Sequence, residues 1–203
     1  MKTKSLIAFL SLLLASTVTM QAQSLSNKIK KSVVEIGETF TEIPKEELLI
    51  LDQIAYKLHK EKKGNNTAHA IFIDKENDKT SQLAMIWLKT GLHYYGLENL
   101  FNIESAGIEN NSKHVNLNSL NQFGFKVKND KNNKIKLKFG SGSWDIHPKN
   151  IESLTETPRT IKIATEEGIL KNHITLHLND THSIPKEMLY IATRINNLEQ
   201  IIK

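Results

Sequence analysis

The sequence of 203 residues contains no cysteine. This absence excludes disulfide bonds, thiolate-ligated zinc, iron–sulfur clusters and every mechanism in which a thiolate is the nucleophile. Aromatic residues make up only 6% of the chain, and the lysines are scattered rather than clustered with them. We therefore expect no nucleic-acid partner. With 39% apolar and 24% charged residues, the rest is an ordinary globular sequence of a length that suits one domain.

Long hydrophobic runs are also scarce. The apolar stretch 6–15 has ten residues, whereas a transmembrane helix needs about 20. Lys2 and Lys4 precede it and Met20-Gln21-Ala22 follows it, a pattern typical of a signal peptide over residues 1–22. Its removal lowers the formal charge from +5 to +3. We expect an exported protein, periplasmic or secreted, with no stable membrane insertion after cleavage; a retained N-terminal anchor is the alternative.

The remaining chain divides into a polar lead-in, residues 23–40, and one domain, residues 41–203. Apolar residues at helical spacing predict long helices at 43–61, 80–95 and 185–202. Residues 115–123 and 148–154 suggest short helices. Strands are predicted at 68–73, 101–105, 125–127, 135–139, 160–164 and 174–178. Strands that alternate with helices predict an α/β fold with a doubly wound, mostly parallel sheet of about four to five strands flanked by helices.

The loop after Ile73 is the predicted binding position. In open α/β sheets, ligands bind beyond the carboxyl ends of strands, where a loop enters a helix. Backbone N–H groups of such a loop can surround an anion.

Several segments carry a resemblance to a known family. Residues 72–84, FIDKENDKTSQLA, with Trp87, Thr90 and Tyr94 beyond them, resemble the strand, phosphate loop and first helix of low-molecular-weight protein tyrosine phosphatases and the related arsenate reductases. Stretches similar to the family follow in the same order at 103–109, 118–127 and 187–190. A bacterial subgroup of this family also has an extra N-terminal helix, similar to residues 40–58. The resemblance covers roughly residues 40–200 and implies a phosphotyrosine protein phosphatase I-like fold.

The residues that carry the family's chemistry are replaced. The family's loop reads Cys, five residues, Arg, then Ser or Thr. The resemblance places the nucleophilic Cys on Asp74 and the phosphate-binding Arg on Thr80, while Asn77 and Ser81 match the loop. It places the general acid on Asp180, where Thr181 stands instead of the family's Pro. The degenerate loop equivalents are Asp74, Lys75, Glu76, Asn77, Asp78, Lys79, Thr80 and Ser81.

The charge of this loop also disfavours an anion. Three carboxylates and two lysines give residues 74–81 a formal charge of −1. Two negative groups about 4 Å apart repel by roughly 4 kcal/mol at an intermediate dielectric. The sequence therefore predicts a pseudophosphatase without a working oxyanion site.

A binding or scaffolding role follows as the main hypothesis. The predicted surface is the former cleft, formed by residues 74–81, 105–112 and 179–184, and its partner is an unknown protein or a small anion. The alternative is a residual or rewired phosphoester hydrolase in which Asp74 is the nucleophile, with or without a metal. The second Asp that usually accompanies such a carboxylate is replaced by Glu76.

No cofactor or metal ligand set is predicted. The acidic loop lacks the Gly and the bidentate Glu of a calcium loop, since Lys79 and Met85 occupy those positions. His173 and His177 would lie about 13 Å apart on a strand, too far to share one ion. A metal-binding periplasmic protein remains a third hypothesis.

Overall fold

The structure is a computed structural model that describes residues 24–62, 67–109, 115–129, 134–171, 173–178 and 180–201. The predicted signal peptide, residues 1–22, lies outside these ranges. The α-helices within them are α1 (Asn27–Gly37), α2 (Lys45–Glu61), α3 (Lys79–Tyr94) and α4 (Ile184–Ile201). The strands are β1 (Ala68–Asp74), β2 (Phe101–Gly107), β3 (Lys126–Asn129), β4 (Ile135–Lys138), β5 (Ser143–Ile146), β6 (Ile161–Ala164) and β7 (Ile174–Thr175).

A four-stranded parallel sheet forms the centre of the molecule, in the order β2-β1-β6-β7. Strand β1 pairs with β2 from Ala68 opposite Phe101 to Asp74 opposite Gly107, and it pairs with β6 on its other side. The predicted α/β class with a mostly parallel sheet of four to five strands is confirmed. Strand β1 is central, so the loop that follows it opens between two neighbouring strand ends.

The helices pack on one face of this sheet. Side chains alternate between faces along a strand, and Ala70 and Phe72 belong to the main core together with residues of all four helices. Ile71 and Ile73 face the other way. That second face is covered by Ile108, Ile151, Leu154, Ile169 and Leu170, which lie outside the α-helices.

Strands β3, β4 and β5 form a separate antiparallel sheet rather than extending the parallel one. The connections between them are too short for a parallel crossover, which takes a dozen or more residues. Ile135 and Leu137 are buried and alternate with exposed lysines, the pattern of a sheet with one solvated face. Strand β5 was not predicted from the sequence pattern.

The long helices α2, α3 and α4 begin and end within two residues of their predicted bounds. The two short predicted helices are only 3-10 turns, at Asn118–Phe123 and Ile151–Ser153. Strand β7 is shorter than predicted, with two residues. Among the helices that the structure describes, none is long and apolar enough to cross a membrane.

The lead-in segment contains α1 and belongs to the same core. Ser26 caps this helix by accepting the N–H of Ile29 at 3.3 Å. Ile29 and Val33 are buried, and α1 packs against α4. The N–H of Ser26 also donates to the carbonyl of Phe139 at 2.8 Å, which ties the start of α1 to the end of β4.

Candidate functional site

Asp74 is the last residue of β1 and the first residue of the loop that enters α3. The parallel pairing of β1 continues on both sides of it: the carbonyl of Ile73 accepts the N–H of Thr165 at 2.8 Å, and the carbonyl of Asp74 accepts the N–H of Ile108 at 3.2 Å. These bonds hold the C-terminal end of β1 between the segments that follow β2 and β6. Asp74 is only 4% exposed, so its carboxylate lies inside the loop rather than in solvent.

The N–H groups of the loop converge on that carboxylate. The N–H of Asp78 lies 3.1 and 3.2 Å from the two oxygens, and the N–H of Ser81 donates to Oδ2 at 3.2 Å. Donors at the start of a helix otherwise attract external anions. Here the protein's own side chain accepts them, so an internal carboxylate stands where an oxyanion would bind.

Burial perturbs this carboxyl group strongly. Desolvation is the largest cause and raises the pKa of Asp74 to about 6 from 3.8; hydrogen bonding from Ser81 opposes this rise, and the charge of Asp78 adds to it. Hydrogen bonds that favour the charged form thus offset only part of the desolvation cost. At neutral pH the group is mostly ionised, and it becomes protonated in mild acid.

The loop is shaped by close backbone packing. Asn77 has a left-handed backbone, with φ of 54°, a conformation that Asn adopts more readily than most residues. Gly107 at the end of β2 lies against it: a Cβ there would be 2.5 Å from the nitrogen of Asn77. The buried Gln82 donates through Nε2 to the backbone carbonyl and the side-chain oxygen of Asn77, at 2.9 and 3.1 Å.

Two further charged residues of the loop, Asp78 and Lys75, are bound within the protein. The Asp78 carboxylate caps α3 by accepting the N–H of Thr80 at 2.8 Å. The Lys75 ammonium pairs with Glu109 at 3.3 Å, and the Lys75 N–H donates to Glu166 at 2.8 Å. Thr80 therefore contributes a backbone donor to this cap.

A cleft of about 570 Å³ opens beside the loop. One wall is formed by residues 76–79 and the other by residues 115–119, which include Asn116, Asn118 and Ser119. The predicted surface contained residues 105–112 instead, of which 110–112 lie outside the described ranges. The 115–119 wall was missed because its sequence suggested a short helix with no role in a site. Its run of polar Asn and Ser residues beside buried Val115 and Leu117 was the available signal.

Asp180 forms hydrogen bonds within its own turn. Its side chain accepts the N–H of His182 at 2.8 Å, and its carbonyl accepts from the hydroxyl of Ser183 at 2.9 Å. Neither bond reaches the 74–81 loop. Among the described residues, no hydrogen bond therefore links Asp180 with Asp74 as a general acid and its nucleophile.

The histidines near the C-terminus each have separate neighbours. His173 hydrogen-bonds Thr175 at 2.9 Å, and His177 lies 3.3 Å from Glu167. Within the described ranges, no three His, Asp or Glu side chains are grouped so that they could hold a metal ion.

Comparisons with known proteins show a likeness of structure without a match in sequence. No protein-family model matches the chain, and no curated protein matches it. The solved structure of a thioredoxin-dependent arsenate reductase from Corynebacterium glutamicum is similar over 100% of this chain and 98% of that chain, with 19% identity and a TM-score of 0.37. At that score the likeness decides nothing about activity. The α/β class rests instead on the strand order and parallel pairing of the sheet itself.

Proposed function

We propose that this protein is an exported binding protein without phosphatase or arsenate reductase activity. The observation that supports this most directly is the pair of hydrogen bonds from the Asp78 and Ser81 N–H groups to the Asp74 carboxylate. A phosphate or arsenate dianion would have to displace a charged group that is covalently part of the loop. The chain also lacks any thiol, and it has Thr80 where the family places the guanidinium that stabilises transition-state charge.

A hydrolase that uses Asp74 as a nucleophile is the competing function. The raised pKa of Asp74 is the observation that favours a hydrolase, since perturbed titratable groups often mark active sites. Against it, both oxygens of the carboxylate accept backbone N–H groups and the residue is 4% exposed. A nucleophile needs a lone pair directed at its substrate, and Asp74 is not among the residues that line the cleft.

A phosphate-binding and turnover assay separates the two functions. We expect the wild-type protein neither to bind inorganic phosphate in calorimetry nor to hydrolyse an aryl phosphate, with or without magnesium. Asp74→Ala frees two N–H donors, so we expect weak phosphate binding in that variant. Asp145→Ala, which removes one exposed carboxylate from β5, is the matched control and should resemble wild type. Wild-type turnover that Asp74→Asn abolishes would establish the hydrolase instead.

The binding role is assigned to the cleft between residues 76–79 and 115–119. Its walls carry hydroxyl, amide and charged side chains, which suit a polar partner surface. A photo-crosslinking residue at the exposed Ser119 should form a defined adduct with a partner in the native cell. The same residue at the exposed Ser153, outside the cleft, should not. Equal adducts at both positions, or none at Ser119, would refute this assignment.

Export is tested by the mature N-terminus. The predicted cleavage after Ala22 gives a chain that begins at Gln23, which intact-mass measurement of the protein from its native cell detects directly. A protein that retains Met1 in the cytoplasmic fraction would contradict export.

A further inference from the structure

A second, smaller cavity lies toward the other end of α3 from Asp74. Its volume is about 190 Å³, and it is bounded by the last turns of α3, the start of β2 and Trp144 of β5. Thr80 and Lys89 are nine residues apart, which is about 14 Å along a helix. The cavity is therefore separate from the 74–81 loop, and a ligand bound in it is independent of the function proposed for that loop.

The Lys89 side chain gives this cavity a cation without an acceptor. Its ammonium lies 5.1 Å from the centre of the Trp144 ring, and within the described part of the chain it has no hydrogen bond or ion pair. The nearby carboxylate of Glu104 pairs with Lys149 at 2.8 Å. Burial is the largest cause that lowers the pKa of Lys89; the charge of Lys149 lowers it further, and the charge of Glu104 raises it. Lys89 is half-buried, and a partly desolvated ammonium of this kind gains from an acceptor that enters the cavity.

One part of the wall is apolar and aromatic, and the other part consists of the polar residues His93, Glu98 and Asn102. Leu92, Phe101 and Ile103 are all at least nine-tenths buried and contribute hydrocarbon surface. The Trp144 ring packs on Phe139 with centroids 4.3 Å apart, so it forms a stiff side to the cavity. Such a wall favours an apolar body beside the charged group of a ligand.

A second polar group in the wall is incompletely satisfied. The His93 side chain is 7% exposed, and its Nδ1 lies 3.6 Å from Glu98. Its Nε2 is buried without a hydrogen-bond partner. His93 follows Lys89 by four residues on α3, and side chains at this spacing lie on the same helix face. Lys89 and His93 thus lack an acceptor or a partner in the wall of one small cavity, where Glu98 Oε2 is also buried without a hydrogen-bond partner.

We propose that this cavity binds a small organic carboxylate with an apolar body, whose carboxylate pairs with the Lys89 ammonium while its body packs against Leu92, Phe101 and Trp144. The volume of the cavity limits the size of the ligand. An apolar cavity of about 150 Å³ holds benzene, whereas drug-sized ligands occupy roughly 300–1,000 Å³. A single ring or short branched chain with one carboxylate fits between these limits.

Benzoate and its neutral counterpart benzamide are the probes. The two have nearly the same shape, so their difference in affinity measures the contribution of the charge. We expect benzoate to bind at least tenfold more tightly than benzamide in calorimetry, and to shift the indole N–H signal of Trp144 in NMR. This tenfold follows from the usual strength of hydrogen bonds to charged groups.

Variants assign that difference to one side chain. Lys89→Met should weaken benzoate at least tenfold and leave benzamide unchanged, and Lys89→Arg should retain binding. Lys57→Met removes an exposed lysine of α2 outside the cavity and should bind benzoate as wild type does. If Lys89→Met does not fold, the wild-type comparison with the Trp144 signal still decides. Equal affinities for the two probes, an unmoved Trp144 signal, or full benzoate binding by a folded Lys89→Met protein would overturn the proposal.

Discussion

The buried carboxylate of Asp74 makes a quantitative prediction about stability and pH. Its ordinary pKa is 3.8, and burial raises it to about 6 in the folded protein. Each tenfold change in a proton equilibrium corresponds to 1.36 kcal/mol, so ionisation of Asp74 costs the folded state about 3 kcal/mol. The folded state is therefore more stable when Asp74 is protonated. This extra stability is fully present below pH 3.8, where the group is protonated in both the folded and the unfolded state. It declines as the pH rises and is lost above about pH 6.

The assay compares wild type with Asp74→Asn. The free energy of unfolding is measured in urea at several pH values from about 4 to 7, with fluorescence of the buried Trp87, which packs against Phe123 and Phe125. Subtracting the two curves removes the other titrating groups, including Glu187, whose pKa burial also raises. We expect the wild-type protein to lose about 2.5 kcal/mol relative to the variant across this pH range, slightly less than the full cost because the group is already largely ionised in the unfolded chain at pH 4.

The slope of that difference tests the geometry. A flat difference curve would show that the Asp74 carboxyl titrates alike in folded and unfolded protein, and that the carboxylate is not desolvated inside the loop. A difference of the opposite sign would mean that the Asp78 and Ser81 N–H groups stabilise the charged form by more than burial costs.

Two glycine contacts make further predictions. Gly107→Ala places a Cβ 2.5–2.7 Å from the backbone of the 74–81 loop, and we expect a loss of about 1–3 kcal/mol in chemical denaturation, whereas Gly37→Ala, which meets only one atom at 4.0 Å, should cost less. Gly91→Ala creates a 2.5 Å contact with the Cβ of Ala192, and a thermal melt should show a lower Tm that Ala192→Gly partly restores. Unchanged stability of either variant would show that the backbone adjusts without cost.

The fold was largely predictable because the sequence patterns that indicate its helices and strands are local. The apolar spacing in α2, α3 and α4 reports the buried face of each helix, and their bounds were predicted within two residues. The sheet formed by β3, β4 and β5 was harder to predict, because pairing among short strands depends on partners elsewhere in the chain. That these strands form a separate antiparallel sheet follows only from their pairing in the folded protein.

Part of the candidate site was also predictable from the sequence, and part was not. The sequence predicts that Asp74 ends a central strand and that a loop enters a helix there, because an apolar strand, a polar turn and a helix cap follow one another. It gives no indication that the Asp74 carboxylate turns into its own loop, since that depends on Gly107 and Gln82 packing against Asn77. The opposite wall of the cleft, residues 115–119, was missed because its sequence suggested only a short helix.

By itself, the sequence determined what chemistry is excluded: without cysteine, neither a thiolate nucleophile nor a disulfide is available to this chain. It also determined the order of the main helices and strands, because local propensity and periodicity depend on neighbours a few residues away. Only the tertiary structure decided where charges lie relative to donors and cavities. The N–H groups that bind the Asp74 carboxylate come from its own loop, but that loop is shaped by Gly107 of β2. Lys89 likewise lies beside Trp144, which is distant in the chain. No local pattern encodes such contacts.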